Sequence, residues 1–285
     1  VSSSPAPTSA DHTAPAAKKR PQANLTVLRT ERLGPHMVRV VAGGPGLSAF
    51  EPKGFTDMYV KIHFVDPAAG LAEPIDLAAV RAELPRDRWP ATRTYTIRRF
   101  DPAAGELAVD FVVHGDAGLA GPWAANAVPG DTMIITGPGG AYRPDPAADW
   151  HLLAGDDSAL PAVAAAIESL PATAVGHAYL EVDSDADVQP IQAPAGLELH
   201  WVLRRGAPAG TGSALADAVT AGPWLAGRVH VFAHGERESM KALRDVFFKQ
   251  RGLERSQVSL SGYWAYGRTE DSFQAEKKQP IGKIL

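Results

Sequence analysis

A chain of 285 residues, 45% hydrophobic and 21% charged, is long enough for one large domain or two modest ones with a real core. Its formal net charge of −4 argues against a nucleic-acid binder, which carries a basic excess or stripe. The absence of cysteine removes disulfides, thiolate nucleophiles, cysteine zinc sites and protein-held iron–sulfur clusters together.

Residues 1–22 are rich in Ser, Ala, Pro and Thr without apolar periodicity, and are expected to form a disordered tail. They lack the apolar centre of a secretory signal, and no apolar run approaches the ~20 residues of a membrane helix. The expectation is a cytoplasmic protein without stable membrane insertion. Residues 23–145 read as strands. Alternation or apolar runs mark Leu25–Leu28, Met37–Val41, Tyr59–Phe64, Arg93–Phe100, Leu107–Val113 and Thr132–Thr136, separated by Gly/Pro turns. Six short strands so punctuated predict a small antiparallel β-barrel. The insert from Asp66 to Pro90 is loop-like, with a helical turn at Leu77–Leu84. Residues 146–285 change pattern. Strands at Trp150–Gly155, Val175–Val182, Leu197–Leu203, Val229–Ala233 and Val258–Gly262 alternate with helical stretches at Ser158–Leu170, Ala214–Thr220, Glu236–Gln250 and Glu270–Lys278. That order predicts a Rossmann-like α/β domain with a parallel sheet.

Three stretches carry chemistry. In Arg93-Thr-Tyr-Thr96, Arg93 and Tyr95 share one face of a strand. A planar cationic fork beside a flat ring suits a phosphate-bearing planar group, although an ordinary strand with an exposed Arg and a packed Tyr has the same pattern. The run from Asp110 through His114-Gly115 to Gly118 and Gly121-Pro-Trp-Ala124 ends a strand and opens a short helix, whose first amides can hold a diphosphate; a plain barrel turn reads identically. Thr136-Gly-Pro-Gly-Gly140 precedes Ala154-Gly-Asp-Asp-Ser158, which sits at the carboxyl end of a parallel strand, where open α/β sheets bind ligands. There Asp157 or Ser158 would cap the helix. The spacing is not the dinucleotide G-x-G-x-x-G. No nucleophile elbow, P-loop or H-E-x-x-H is present. His230 and His234, four apart on a strand, stand about 13 Å apart, too far to share a metal.

In this order, Arg93–Arg98, Asp110–Gly118, Gly121–Ala124, Gly137–Gly140, Trp150–Ala162 and Gly262–Glu270 resemble the siderophore-interacting proteins, flavin-dependent ferric-siderophore reductases of the ferredoxin–NADP reductase superfamily. The resemblance implies FAD on the barrel and NADH or NADPH as electron donor, with ferredoxin as an alternative donor. It assigns Arg93, Tyr95 and Thr96 to the flavin ring and phosphate. His114, Gly121, Trp123 and Ala124 would line ring and diphosphate, Thr136 the phosphates or adenosine end, and Asp156, Asp157 and Ser158 the domain interface beside the cofactor. It makes a ferric siderophore the substrate, met by a basic patch of Lys61, Arg268 and, more weakly, Lys53. Ala265 and Tyr266 stand where relatives often carry arginine. Two other readings remain: a flavin or ferredoxin-type reductase with another acceptor, and a siderophore-binding iron carrier. No acid–base residue is expected, because electron transfer to chelated iron needs none.

Overall fold

The computed structural model describes residues 21–115 and 118–285; the expected tail, apart from its last two residues, lies outside them. Strand β1 (Gln22–Gly34) starts inside that expected tail. It is followed by β2 (Met37–Gly43), β3 (Tyr59–Phe64), helix α1 (Leu77–Glu83), β4 (Ala91–Asp101), β5 (Glu106–Val112), α2 (Ala120–Asn126) and β6 (Thr132–Gly139). The six strands close into an antiparallel barrel in the order β1-β2-β5-β4-β3-β6. Alternation explains the closure: Leu25, Val40, Ile62, Val109 and Ile135 point inward and are at most 1% exposed. Each such side chain contributes roughly 1.5–3 kcal/mol of apolar burial. Helix α1, capped by Asp76 through the amides of Ala78 and Ala79, occupies the long insert.

The second half holds β7 (Trp150–Gly155), α3 (Leu160–Glu168), β8 (Val175–Val182), β9 (Gly196–Leu203), α4 (Ala214–Ala221), β10 (Val229–Glu236), α5 (Arg237–Asp245), β11 (Val258–Trp264) and α6 (Glu270–Glu276). The strands form a parallel sheet in the order β11-β10-β7-β8-β9. Every residue of β7 and β10 is buried, as a sheet covered on both faces requires. The stretch expected as one helix to Gln250 is α-helical only to Asp245. It closes in a wider π-helical turn, Val246–Gln250, in which Val246 and Phe247 are both buried.

The halves are welded by a shared apolar cluster. Leu153, Val163, Ile167 and Phe232 of the sheet side pack with Met37 of β2 and with Tyr142 of the connector. The Tyr142 ring lies 4.3 Å from that of Phe232. Asp57 secures the connector by accepting from the amides of Ala141 and Tyr142, both at 2.8 Å. Arg98 of β4 grips Glu168 of α3 with two bonds of 2.7 and 2.6 Å.

Candidate functional site

Strand β4 pairs with β5 only from Ile97 onward, where Ile97 faces Val109. Upstream it pairs with β3 alone, from Ala91 to Thr96, so the barrel wall parts between this stretch and the end of β5. Arg93 and Tyr95 stand on the parted stretch, on the side of inward-facing Ile97. Tyr95 packs on Phe111 at 4.4 Å, and Trp123 lies 5.6 Å from Phe111 and 5.5 Å from Phe64. The result is an aromatic row across the opening, and burial raises the Tyr95 hydroxyl pKa, keeping it protonated. Trp123 and Leu119 also border a pocket of about 290 Å³ with Ile62, Phe64 and Met133. Among the described residues, the Arg93 guanidinium donates only to the Thr92 carbonyl at 2.9 Å. Its closest carboxylate is that of Asp271, at 3.9 Å and almost fully exposed. Most of its five donors are therefore free to meet an anion.

The other expected barrel residues divide. Thr96, on the opposite face, is buried, and its side chain is near enough to the Tyr263 hydroxyl of β11 to oppose the rise that burial imposes on that group's pKa. His114 is exposed just past β5. Gly115 and Gly118 take φ of +62° and +84°, a left-handed backbone that glycine tolerates; Asp116 and Ala117, between them, lie outside the described residues. A Cβ on Gly121 would stand 3.1 Å from the Val112 carbonyl, so glycine lets α2 lie close on β5. Helix α2 is only seven residues long, and Ala124 is a core residue of the barrel rather than part of an open surface. The Thr136 hydroxyl is 3.0 Å from His63 Nε2, while Thr92 meets His63 Nδ1 at 3.1 Å. Burial lowers the His63 pKa to about 4 and keeps the ring neutral. Thr136 thus closes a buried polar link between β3, β4 and β6.

The end of the sheet domain brings charge to the same region. Lys61 is half-exposed and donates to Thr94 Oγ1 at 3.2 Å. Lys277, just past α6, lies 4.5 Å over the Phe273 ring. Its pKa is lowered by burial, is raised by Glu270, and is lowered further by Lys61, so the two ammonium groups sense each other. The sequence reading missed Lys277; its signal was position alone, at the end of a helix expected over Glu270–Lys278. Arg268 is committed, donating to Glu276 at 2.6 Å, and Arg237 holds the same carboxylate. Lys53 is exposed on the loop before β3; its carbonyl accepts from Arg143 at 3.4 Å.

At the carboxyl edge of the sheet, Asp156 is a tether. Its Oδ1 accepts from the Ser158 amide at 3.0 Å and the Ser158 hydroxyl at 2.6 Å. Its Oδ2 accepts from the Glu236 amide and the Trp264 indole, each at 2.8 Å. One carboxylate thereby ties the ends of β7, β10 and β11, and Ser158 is spent on it. Asp157 pairs with Arg204 at 2.6 Å, and Glu181 lies 3.5 Å from the same guanidinium. All three are buried or nearly so. Desolvation raises Asp157 to about 6, against the pull of Arg204, and also raises Glu181.

Comparison with known families matches residues 26–142 to the siderophore-interacting FAD-binding domain and 148–267 to the siderophore-interacting protein model. The ferric vibriobactin reductase ViuB of Vibrio cholerae is 32% identical over 256 residues, covering 89% of this chain and 93% of that protein. The chain belongs to the siderophore-interacting protein family. The NADPH-dependent ferric-chelate reductase of Escherichia coli is 37% identical over 183 residues, 62% of this chain and 70% of that one. The crystal structure of a siderophore utilization protein from T. fusca superposes with a TM-score of 0.76 at 37% identity, covering 87% of this chain and 94% of that one. For this siderophore-interacting protein, the barrel that carries Arg93 and Tyr95 is thus the family's FAD-binding domain.

Proposed function

We propose that the protein is a flavin-dependent ferric-siderophore reductase, taking electrons from NADH or NADPH and releasing iron as Fe(II). The observation that carries the reading is the juxtaposition at β4: an unspent guanidinium and a flat ring on the parted strands, with Lys61 and Lys277 alongside. Arg93 holds the FAD diphosphate by charge-assisted bonds, and Tyr95 flanks the isoalloxazine. Thr96 of the barrel and Tyr263 of the sheet domain face each other where the two walls meet. FAD supplies the conversion of a two-electron donor into single electrons for Fe(III). Lys61 and Lys277 attract the oxygen-rich, often anionic chelate, with Arg268 and Lys53 outside them. No side chain need move a proton. Reduction weakens the hold of hard oxygen ligands on iron. A pyridine-nucleotide donor suits a reaction in the cytoplasm; among the described residues no helix is long and apolar enough to cross a membrane.

A ferredoxin donor is the second reading, favoured by one observation: Arg204 is engaged by Asp157 and Glu181 and so offers little to a nucleotide phosphate. Stopped-flow reoxidation of the anaerobically reduced protein by a ferric tris-catecholate, with Fe(II) trapped by a chromogenic chelator, tests the main proposal. The chelate should reoxidise the flavin and yield Fe(II), and Lys277→Glu should raise KM with kcat little changed. Reoxidation no faster than with air alone sinks the reductase reading. Reduction by ferredoxin but not by NAD(P)H would reassign the donor.

A further inference from the structure

A second group of donors lies away from the flavin site, on the outer part of the sheet. Strands β8 and β9 run parallel, with His177 opposite Glu198 and Tyr179 opposite His200. Side chains two apart on a strand share a face, so His177, Glu198 and His200 converge on one side of the β8–β9 pair. His177 Nδ1 is 3.1 Å from His200 Nε2. Glu198 Oε2 is 3.6 Å from the first nitrogen and 3.8 Å from the second. The short edge is a hydrogen bond between imidazoles. The two longer edges are beyond hydrogen-bond reach, yet the same carboxylate oxygen closes both.

Those three separations bracket what a shared ion would impose. Ligands at about 2.0–2.2 Å from a tetrahedral centre stand about 3.3–3.6 Å from one another. The observed triangle is close enough that a single point can lie about 2.1 Å from all three atoms. We propose that His177, His200 and Glu198 form a site for a divalent first-row transition cation, with its remaining positions open to water.

The surroundings support this donor set. His177 is 6% exposed, whereas Glu198 is exposed and His200 half-buried, so the group is anchored on its inner side and open on its outer side. The Tyr179 ring stacks on His200 at 4.7 Å with an interplanar angle of 16°, which fixes the imidazole orientation. The Trp150 ring meets His177 edge-on at 6.4 Å. Two imidazoles and one carboxylate suit Zn²⁺ and Fe²⁺ and disfavour the hard ions Ca²⁺ and Mg²⁺. A second group, His36, Asp183 and Asp187, is a weaker candidate. Asp187 Oδ2 already accepts from Ser184, and its Oδ1 accepts from the His36 amide.

The test is calorimetric titration of the FAD-loaded full chain with Zn²⁺, paired with EPR of the Cu²⁺-loaded protein, whose oxidised flavin is silent. One saturable equivalent and hyperfine structure from two nitrogens are expected. His200→Ala should weaken Zn²⁺ binding by more than about 100-fold, beyond the usual loss from removing an outer-shell partner, and Glu198→Gln by about tenfold or more. Both positions reach solvent, and unchanged melting temperatures without metal should show that the variants fold. His36→Ala should leave the titration unchanged. Absence of a saturable event, or binding that survives His200→Ala, overturns the proposal. Loss of binding in His36→Ala alone moves the ion to the other cluster and overturns it equally.

Discussion

Arg93 in the barrel and Arg204 on the edge of the sheet are both guanidiniums beside the junction of the two halves, but their surroundings are opposite. Arg93 has a backbone carbonyl and one loose, solvent-exposed carboxylate. Arg204 is clamped between Asp157 and Glu181 with little solvent access. The barrel leaves its cation uncommitted beside a parted wall. The sheet spends its cation on holding two buried carboxylates and its Asp156 on tying three strand ends together. A charged residue at a domain junction reveals its role by what it is already bonded to.

The largest effect should come from Arg204→Ala. Removing one partner strands buried charge, which costs about 3–5 kcal/mol, read as a lower midpoint in urea unfolding. The loss should shrink toward pH 5, because Asp157, held near 6 by burial, then protonates and no longer needs a cation. FAD affinity measured on the folded variant should stay within a few fold; a large drop would dissolve the contrast with Arg93. Next in size, Arg93→Ala should weaken FAD binding by about 10- to 100-fold, the worth of a charged hydrogen-bonding group. Fluorescence titration measures it, and the melting temperature of the apoprotein should hardly move. Arg93→Lys should recover part of the affinity but not the bidentate geometry.

The third prediction concerns pH. His63 and His234 are buried with pKa values lowered to about 4 and about 3, so the fold favours their neutral forms. Their contribution is complete above the unfolded value near 6.5 and is lost as pH falls below it. Asp157 runs the other way: its raised pKa stabilises the fold below the unfolded carboxylate value and is lost as pH rises through about 6. The histidines outweigh it, so stability should fall by about 1–2 kcal/mol between pH 7 and 5.5. Asp157→Asn should steepen that fall. A flat profile would mean that the sheet's buried groups are better balanced than this comparison allows. Smallest of all, Arg98→Ala should cost about 0.5–1 kcal/mol, since Glu168 is partly exposed and the shared apolar cluster still joins the halves.

The architecture was legible wherever local periodicity encodes it. Tyr59–Phe64 alternates because one face fills the barrel, and β7 and β10 read as continuous apolar runs because both their faces are covered. Arg93 and Tyr95 were legible because two-residue spacing fixes a shared face on any strand. The role of Asp156 was not, since its partners Glu236 and Trp264 come from distant strands and nothing near position 156 announces them. Ala124 and Thr136 looked like ligand-lining residues in the linear motif but are consumed by the core and by His63. Lys277 carries no motif; it gains meaning only when α6 brings it over Phe273 and toward Lys61.

The nearness of Thr96 to Tyr263, from distant parts of the chain, bears on the order in which the protein is assembled. The barrel is complete in sequence at Gly139, whereas Tyr263, Asp271 and Lys277 leave the ribosome long afterward. Chains are made from the N-terminus at several residues per second, and domains fold as units as they emerge. The first wall of the site therefore exists for some time on the nascent chain without its second. The two-walled cleft arises only when β11 docks.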